Sequence, residues 1–292
     1  MSESPNFLGL TDEESRYEHA LGIVVPVPYE RTVSYGRGTV NGPGAILSAS
    51  EYVELYDEVL REEPYRQGGI HTAAPVLGGG EDPTAFLDRL SDTAAALFMD
   101  GKFPVFLGGE HTITVAPVRA ARTVFEDLSV LQLDAHADLR DEYQGTQWSH
   151  ACVMRRVHDL GVPVVPVGIR AVSVEEAEFI YDNDLPVFWS HRIAHADEWM
   201  ETALMALSDT VYITFDVDFF DPSLLPATGT PEPGGGFWHE TLQFLGRVFM
   251  HKRVVGMDVV ELAPIDGLHA PDFVVARLVH RCFGYRFHDW GA

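Results

Sequence analysis

The chain has few cysteines and no long apolar run. Its 292 residues include two cysteines, Cys152 and Cys282, which are too few for the disulfide framework of a small secreted protein. No stretch approaches the roughly 20 apolar residues that cross a bilayer, and residues 1–19 are mostly polar, without the apolar core of a signal peptide. The sequence therefore predicts a soluble, cytoplasmic protein with no membrane partner.

Basic residues are also scarce. The chain has 20 Lys and Arg against 44 Asp and Glu, which gives a formal net charge of −24. This charge disfavours nucleic acid and anionic membranes as partners, because like charges repel, and it would attract a small cationic substrate. An acidic surface also keeps a protein soluble, including in a salty cytoplasm, and we assign most of the imbalance to that cause.

Short apolar runs recur along the chain, separated mostly by segments long enough for a crossover helix. They lie at residues 21–27, 103–107, 128–133, 162–167, 185–189, 211–215 and 254–260. This is the pattern of βα units in a parallel sheet. With 46% hydrophobic residues and no linker-like stretch, we predict one domain over residues 1–292, with a polar N-terminal extension at 1–19. Its fold class is three-layer α/β/α with a central, mainly parallel sheet.

Several helix starts are marked by their sequence. Asp82 before Pro83 is typical of an N-cap followed by proline at the first helical position, and Pro43 and Pro271 are expected to begin helices in the same way. The segment Ser173-Val-Glu-Glu176 fits a capping box. We therefore expect helices to begin near residues 43, 83, 174 and 271.

Three predicted strands end in side chains that bind metals. Asp134-Ala-His-Ala-Asp138 follows the run 128–133 and alternates ligand with spacer, so an extended backbone would point all three ligands to one face. Asp216-Val-Asp218 follows the run 211–215, and His111 follows Gly108-Gly-Glu110 after the run 103–107. Ligands of open parallel sheets bind beyond the carboxyl ends of the strands. We expect six side chains to meet there: His111, Asp134, His136, Asp138, Asp216 and Asp218.

Six ligands are too many for one structural zinc, which usually takes four and often uses thiolates. If Asp134 and Asp216 each bridge, four carboxylates offset the charge of two divalent cations. The oxygen-rich set favours two Mn²⁺, with Ni²⁺ or Co²⁺ as alternatives. The competing interpretation is a set of strand-end acids that cap helices, which we reject because buried carboxylates repel one another without a cation.

Four motifs in this order resemble the ureohydrolases, the family of arginases and agmatinases. They are Gly108-Gly-Glu-His111-Thr, Asp134-Ala-His-Ala-Asp138, Ser149-His150-Ala-Cys-Val-Met-Arg-Arg156 and Asp216-Val-Asp-Phe-Phe-Asp-Pro222. Further matches are Ser34-Tyr-Gly-Arg-Gly-Thr39, Pro226-Ala-Thr-Gly-Thr-Pro231 and Asp258-Val-Val-Glu261. The resemblance implies an arginase/deacetylase-type fold and a homo-oligomer, trimeric or hexameric. It implies one manganese on His111, Asp134, Asp138 and Asp216, and a second on Asp134, His136, Asp216 and Asp218.

The resemblance also implies a reaction. Water between two divalent ions ionises near neutral pH and could attack a guanidinium carbon. Glu261 stands where the family carries the carboxylate that holds the guanidinium, and His150 where it carries a proton-shuttling histidine, which matters because an amine leaves poorly unless protonated. His150 could instead be an ordinary loop histidine. Thr230 is a candidate substrate contact, although its proline-rich surroundings equally suit a rigid loop.

The substrate is inferred from contacts that this sequence lacks. The loop Leu139-Arg-Asp-Glu-Tyr143 and the triplet Gly168-Ile-Arg170 lack the residues with which arginases bind the α-carboxylate and α-amino group of arginine. Asp138-Leu-Arg-Asp-Glu-Tyr143 instead resembles bacterial and archaeal agmatinases. We predict hydrolysis of agmatine to putrescine and urea, as in polyamine biosynthesis. Guanidinobutyrate, guanidinopropionate, guanidine, aminopropylagmatine and arginine stay open as substrates.

Two other classes of function compete with this prediction. A binuclear phosphoesterase is disfavoured because its Asn-His pair is missing and because the net charge of −24 would repel anionic substrates. A non-catalytic metal-binding regulator would be expected to have lost a bridging aspartate, His150 or Glu261, and all are present.

Three further expectations concern the surroundings of the site. Residues 138–149 and 219–236 lack helical or strand periodicity and directly follow the ligands, so we expect them to form the walls of the pocket. Glu110 either supports a neighbouring ligand or is a helix-start acid favoured by the dipole, and we leave it outside the site. Cys152 is predicted to be a buried helical residue.

Overall fold

Eight strands form one sheet in the computed structural model, which describes residues 6–78, 80, 82–193 and 198–291. They are β1 (Gly22–Val27), β2 (Ile70–Thr72), β3 (Phe103–Gly108), β4 (Leu128–Leu133), β5 (Val164–Ile169), β6 (Phe188–Trp189), β7 (Thr210–Asp216) and β8 (Arg253–Val260). Their spatial order is β2-β1-β3-β8-β7-β4-β5-β6, and every pair of neighbours is parallel. The predicted α/β fold with a central parallel sheet is confirmed.

Helices connect most of the strands. They are α1 (Gly42–Ser50), α2 (Pro64–Gly68), α3 (Pro83–Met99), α4 (Val115–Val124), α5 (Val153–Asp159), α6 (Val174–Asp182), α7 (Ser190–Ile193), α8 (Glu198–Ala206), α9 (Trp238–His251) and α10 (Ala270–Phe287). Within the described ranges, no helix is long and apolar enough to cross a membrane.

The sheet is covered on both faces because its strands are apolar on both sides. On β4, Leu131 and Leu133 pack in a core that also contains residues of α1, α8, α9 and α10. Leu128 and Val130, which point the other way, pack in a second core with residues of α3, α4, α5 and α6. Alternating side chains of one strand therefore supply two cores, as expected of a strand buried between helical layers.

The predicted helix starts are confirmed by their local contacts. The Asp82 side chain accepts a hydrogen bond from the backbone N–H of Thr84 at 2.9 Å. Ser173 and Glu176 form the reciprocal capping box at the start of α6. Proline occupies the first turn of α1, α3 and α10, where the N–H that it lacks would have had no helical partner.

The structure differs from the predicted strands in three places. β2 was not predicted, since a strand of three residues is too short to show a periodicity. β6 is two residues long instead of the predicted 185–189, and Pro186 has no N–H to donate to a neighbouring strand. β5 spans Val164–Ile169, so it begins and ends two residues later than predicted.

Part of the predicted polar N-terminal extension packs against the core. Phe7, Leu8 and Leu10 are buried, and the Phe7 ring lies 5.9 Å from the Phe283 ring of α10. Residues 1–5 of that segment lie outside the described residues, as does residue 292.

Candidate metal centre and active site

Four neighbouring strands in the middle of the sheet carry the candidate site at their carboxyl ends. His111 begins a short 3₁₀-helix after β3, from which two residues separate it, and Asp134 directly follows β4. Asp216 is the last residue of β7, and Glu261 follows β8. Because the order of these strands is β3-β8-β7-β4, residues separated by up to 150 positions reach one edge of the sheet.

The six predicted ligands lie together in two overlapping groups. His111 Nδ1 lies 3.3 Å from Asp134 Oδ2, 3.1 Å from Asp138 Oδ2 and 3.5 Å from Asp216 Oδ2. His136 Nδ1 lies 2.9 Å from Asp218 Oδ2 and 3.8 Å from Asp134 Oδ1. Two sets have ligand atoms close enough to hold one ion each, and Asp134 belongs to both: His111, Asp134 and Asp216, and Asp134, His136 and Asp218. Metal binding by these residues stays a prediction.

The expected extended backbone continues to His136, which forms a parallel bridge with Ala171, but it does not extend to Asp138. Asp134 Oδ1 accepts a hydrogen bond from the backbone N–H of His136 at 2.7 Å. Asp138 has a left-handed φ of +53°, and its carbonyl accepts from the backbone N–H groups of Met154 and Arg155 at 3.0 and 3.2 Å. A non-glycine residue in this conformation costs on the order of 1 kcal/mol, which the contacts of α5 offset.

Burial and mutual repulsion perturb the carboxylates of this cluster. Burial raises the pKa of Asp134 to about 7, and the charges of Asp218 and Asp138 add to the effect. The pKa of Asp216 is raised well above its usual range, again by burial first and then by Asp218. Burial also opposes ionisation of Asp218, but the contact with His136 outweighs it and holds that pKa at about 2. The carboxylates crowd together where a cation would relieve them.

The hydrogen bonds behind His111 test whether the cluster suits a cation. The Thr214 hydroxyl donates to Asp258 Oδ1 at 2.6 Å, and its oxygen lies 2.8 Å from His111 Nε2. Since the hydroxyl hydrogen points to Asp258, the oxygen must accept from an Nε2–H. Nδ1, a buried atom without a hydrogen-bond partner, is then the nitrogen that faces three carboxylates. Burial disfavours a charged His111, but Asp134 and Asp138 outweigh it and raise its pKa. A divalent cation would take the place of the Nδ1 proton among these carboxylates.

A pocket with a volume of about 310 Å³ opens above the cluster. Arg140 and Tyr143 line it from one predicted loop, and Gly229, Thr230 and Glu232 from the other, so the expectation that both loops are walls is confirmed. A third wall, formed by Val33, Ser34 and Tyr35, was not predicted. The backbone of Gly36 donates to the carbonyl of Gly229 at 3.0 Å, and a Cβ on Gly36 would lie 2.9 Å from that oxygen, so glycine permits this close approach.

The predicted catalytic residues and Thr230 line the same pocket as the carboxylates. Burial raises the pKa of Glu261 to about 8, and Glu261 Oε1 accepts from the backbone N–H of His111 at 2.7 Å. For His150, burial disfavours the charged form, but Glu110 and Glu261 outweigh it and raise its pKa. One pocket therefore holds an imidazole with a raised pKa, a buried carboxyl group and the carboxylate cluster.

Glu110 is a residue of this site that the sequence left undecided. It is fully buried, and its side chain makes no capping hydrogen bond to the helix that begins at His111. Its carboxylate accepts instead from the backbone N–H groups of Arg31 and Thr32, at 2.6 and 2.7 Å, and lies 3.6 Å from His150 Nδ1. Burial opposes its ionisation, yet the contacts with His150 and Thr32 hold its pKa at about 2. Cys152 is buried in the 3₁₀-helix before α5, as predicted.

Comparison with known proteins agrees with this geometry. The sequence profile of the Arginase family matches residues 21–284. The chain is 43% identical over 281 residues to an N(1)-aminopropylagmatine ureohydrolase of Synechocystis sp., which covers 94% of this chain and 90% of that protein. It is 36% identical over 246 residues to an agmatinase of Pyrococcus horikoshii, with 82% and 83% covered. The crystal structure of agmatine ureohydrolase of Thermoplasma volcanium superposes with a TM-score of 0.87 at 31% identity, covering 98% of this chain and 95% of that one.

Proposed function

We propose that this chain, which belongs to the arginase family and is a ureohydrolase, hydrolyses N(1)-aminopropylagmatine to urea and a triamine. The observation that carries the choice is the 43% identity, over 94% of the chain, to a relative named for that substrate. Agmatine, the substrate that the sequence motifs favour, is the second candidate, supported by the structural likeness to an agmatine ureohydrolase.

The inner end of the pocket suits the guanidinium group. Glu261 has one carboxylate oxygen engaged by the His111 backbone, which leaves the other to accept from a guanidinium N–H. Such a contact would place the guanidinium carbon above the carboxylate cluster. Addition of water to that carbon and cleavage of its bond to the alkyl nitrogen give urea. The water oxygen ends in urea, and both water hydrogens end on the departing amine, which leaves as an ammonium.

His150 is positioned to carry one of these hydrogens. It lines the pocket with Glu261, and its raised pKa favours a protonated imidazole that can donate to the leaving nitrogen. A side chain in this role typically contributes about 10²- to 10⁴-fold to the rate.

The six clustered side chains would hold two divalent cations, Mn²⁺ in this proposal. His111, Asp134, Asp138 and Asp216 form one set, and Asp134, His136, Asp216 and Asp218 form the other. Bound there, the cations would supply the activation of the attacking water. The orphaned Nδ1 of His111 among three carboxylates supports this assignment.

The outer wall of the pocket suits the amines of the substrate. Glu232 lines the pocket, and its backbone carbonyl accepts from the Arg170 guanidinium at 2.8 Å. The same guanidinium donates to the carbonyl of Asp218 at 2.6 Å, so Arg170 fixes the distance between the Glu232 loop and the carboxylate cluster. A carboxylate held there would attract a distal ammonium and repel the α-carboxylate of arginine.

The direct test is urea release by the purified, Mn²⁺-loaded protein with aminopropylagmatine, agmatine, arginine and guanidinobutyrate. We expect the largest kcat/KM for aminopropylagmatine and a smaller one for agmatine. Arginine and guanidinobutyrate, which carry a carboxylate, should give no measurable urea. A preference for agmatine would select the second candidate. A preference for arginine or guanidinobutyrate would contradict the proposed distal contacts.

The variant Glu232→Gln tests the outer end of the pocket. We expect KM for aminopropylagmatine to rise about 5-fold with kcat nearly unchanged, since a partly exposed ion pair contributes up to about 1 kcal/mol. Glu240→Gln, an exposed position on α9, is the matched control and should leave KM unaltered. Equal KM values for the two variants would show that Glu232 does not bind the amine.

A further inference from the structure

We propose that Glu110 and Thr32 fix the tautomer of His150, so that its Nε2 atom is the one that exchanges the catalytic proton. An imidazole has two nitrogens, and a proton carrier is effective only if the correct one faces the reacting group. The inference rests on the proposed function, in which His150 protonates the departing amine. Glu110 and Thr32 act here as positioning residues.

The Glu110 carboxylate determines the direction of the Thr32 hydroxyl. It accepts from the backbone N–H groups of Arg31 and Thr32 and from the Thr112 hydroxyl, at 2.6, 2.7 and 2.7 Å. The Thr32 hydroxyl makes a further short hydrogen bond to Glu110 Oε1. Surrounded by donors, the carboxylate acts only as an acceptor, so the Thr32 hydroxyl must point its hydrogen at Glu110.

The Thr32 oxygen then presents only lone pairs to His150. It accepts from the backbone N–H of His150 at 3.2 Å and lies 3.1 Å from Nδ1. A second lone pair facing it would be repulsive, so Nδ1 must carry a hydrogen. The Ser149 hydroxyl, 3.4 Å from Nδ1, is more distant than Thr32. Glu110 Oε1, at 3.6 Å, adds negative charge on the same side and favours the same tautomer.

The opposite nitrogen has a partner that tolerates either protonation state. Ser34 Oγ lies 2.8 Å from Nε2 and 3.3 Å from the Tyr143 hydroxyl. A hydroxyl that is free to rotate donates to a bare Nε2 and accepts from a protonated one. Because Nδ1 keeps its hydrogen, the proton is gained and lost at Nε2, beside Ser34, which lines the pocket together with His150.

His111 uses the same device in the opposite orientation. There Asp258 and Thr214 fix the hydrogen on Nε2, and Nδ1 faces the carboxylates. In both histidines, a carboxylate and a threonine fix the hydrogen on one ring nitrogen. The other nitrogen, Nε2 of His150 or Nδ1 of His111, takes the proposed functional role.

A double-mutant cycle tests whether Thr32 acts through His150. Thr32→Val removes the hydroxyl at nearly constant volume, and Thr32→Ser restores it. We expect Thr32→Val to lower kcat by about 10-fold, a fraction of the 10²- to 10⁴-fold contributed by a general acid, with KM changed less than twofold. Thr32→Ser should recover most of the loss. In a His150→Ala background, Thr32→Val should have no further effect.

The outcomes separate this inference from the proposed function. Full activity of His150→Ala would remove His150 from the reaction. If His150→Ala lowers kcat while Thr32→Val has a normal kcat, the positioning role is overturned. It is also overturned if Thr32→Val lowers kcat by the same factor in the His150→Ala background as in the wild type. Manganese content and melting temperature, measured for every variant, should match the wild type; a loss of bound manganese in Thr32→Val would also overturn it. Thr241→Val, a buried threonine on α9 that bonds the Phe237 carbonyl at 2.7 Å, is the control for the substitution itself.

Discussion

Two groups of charged side chains in this protein differ in how their charges are compensated. Near α10, Arg281 Nε lies 2.5 Å from Asp57 Oδ2, with the two side chains 3% and 0% exposed. Glu58 adds contacts with Arg277 and Arg281 at 2.7 and 2.9 Å. This group, the α10 ion-pair cluster, contains two carboxylates and two guanidiniums.

The carboxylate cluster at the edge of the sheet has no such balance. Four aspartates surround two imidazoles, and Nδ1 of His111 lies within 3.5 Å of three of the carboxylates. Burial of a charged group costs free energy, and the cost is offset only when the charge is compensated. The α10 ion-pair cluster is compensated within the chain and is structural. In the carboxylate cluster, two imidazoles with raised pKa values face four carboxylates, so compensation within the chain is incomplete, and we expect divalent cations to complete it.

The largest expected effect comes from removing one charge of the carboxylate cluster. Asp216→Asn should abolish urea release, because both proposed metal sets use this side chain. Without metal, the variant should melt at a higher temperature than the wild type, because the repulsion among the carboxylates is relieved. Added Mn²⁺ should raise the melting temperature of the variant less than that of the wild type. Thermal melts with and without Mn²⁺ measure both effects. Asp209→Asn, whose side chain is 98% exposed, is the control. A lower melting temperature of the metal-free variant would contradict the repulsion.

Removing one partner from the α10 ion-pair cluster should damage stability but not catalysis. Arg281→Met leaves Asp57 buried without a cation, which should lower the free energy of unfolding by about 3–5 kcal/mol. The kcat of the folded fraction should stay at the wild-type value. Arg277→Met is the matched control, because its partner Glu58 is 65% exposed, and should cost less than about 1 kcal/mol. Equal losses of unfolding free energy in Arg281→Met and Arg277→Met would contradict the claim that the buried pair contributes more than the exposed one.

The same region should make stability depend on pH. Burial, followed by the charge of Arg277, lowers the pKa of His280 to about 4. The folded protein therefore resists a proton that the unfolded chain accepts near pH 6.5. This contribution is complete above pH 6.5 and is lost as the pH falls toward 4, by about 2 kcal/mol between pH 7 and 5. Denaturant unfolding at both pH values should show a smaller difference in His280→Gln. An unchanged difference would exclude His280 as the cause.

A smaller effect is expected behind the carboxylate cluster, at Thr214. Thr214→Val removes the hydroxyl that fixes the His111 tautomer, and should weaken Mn²⁺ binding by about 10-fold, as is typical when a hydrogen bond to a ligand is lost. Titration of metal-free protein with Mn²⁺ measures the change, and Thr241→Val is the control. Unaltered affinity would mean that Thr214 does not orient His111.

Strand ends made much of the site predictable from the sequence. Apolar runs identify β3, β4, β7 and β8, and parallel strands bring their carboxyl ends to one edge, so the meeting of His111, Asp134 and Asp216 follows from local patterns. Helix starts such as Ser173 were equally accessible, because a capping box involves residues only three apart in sequence.

Contacts between distant loops were not predictable in this way. Thr32 and Ser34 lie 118 and 116 residues from His150, in a segment without periodicity. No local pattern shows which loops meet, so the role of Glu110 stayed undecided and the third wall of the pocket was missed. The left-handed Asp138 was missed for a related reason, since its conformation depends on hydrogen bonds from α5.

Equilibrium dialysis of the metal-free protein against Mn²⁺, with the bound ions counted per chain, tests the central claim most directly. If the carboxylate cluster is compensated by cations, the wild type will bind two Mn²⁺ per chain and Asp216→Asn fewer than two, while Asp209→Asn will bind two. Failure of the wild type to bind Mn²⁺, or equal binding by the wild type and Asp216→Asn, would contradict it.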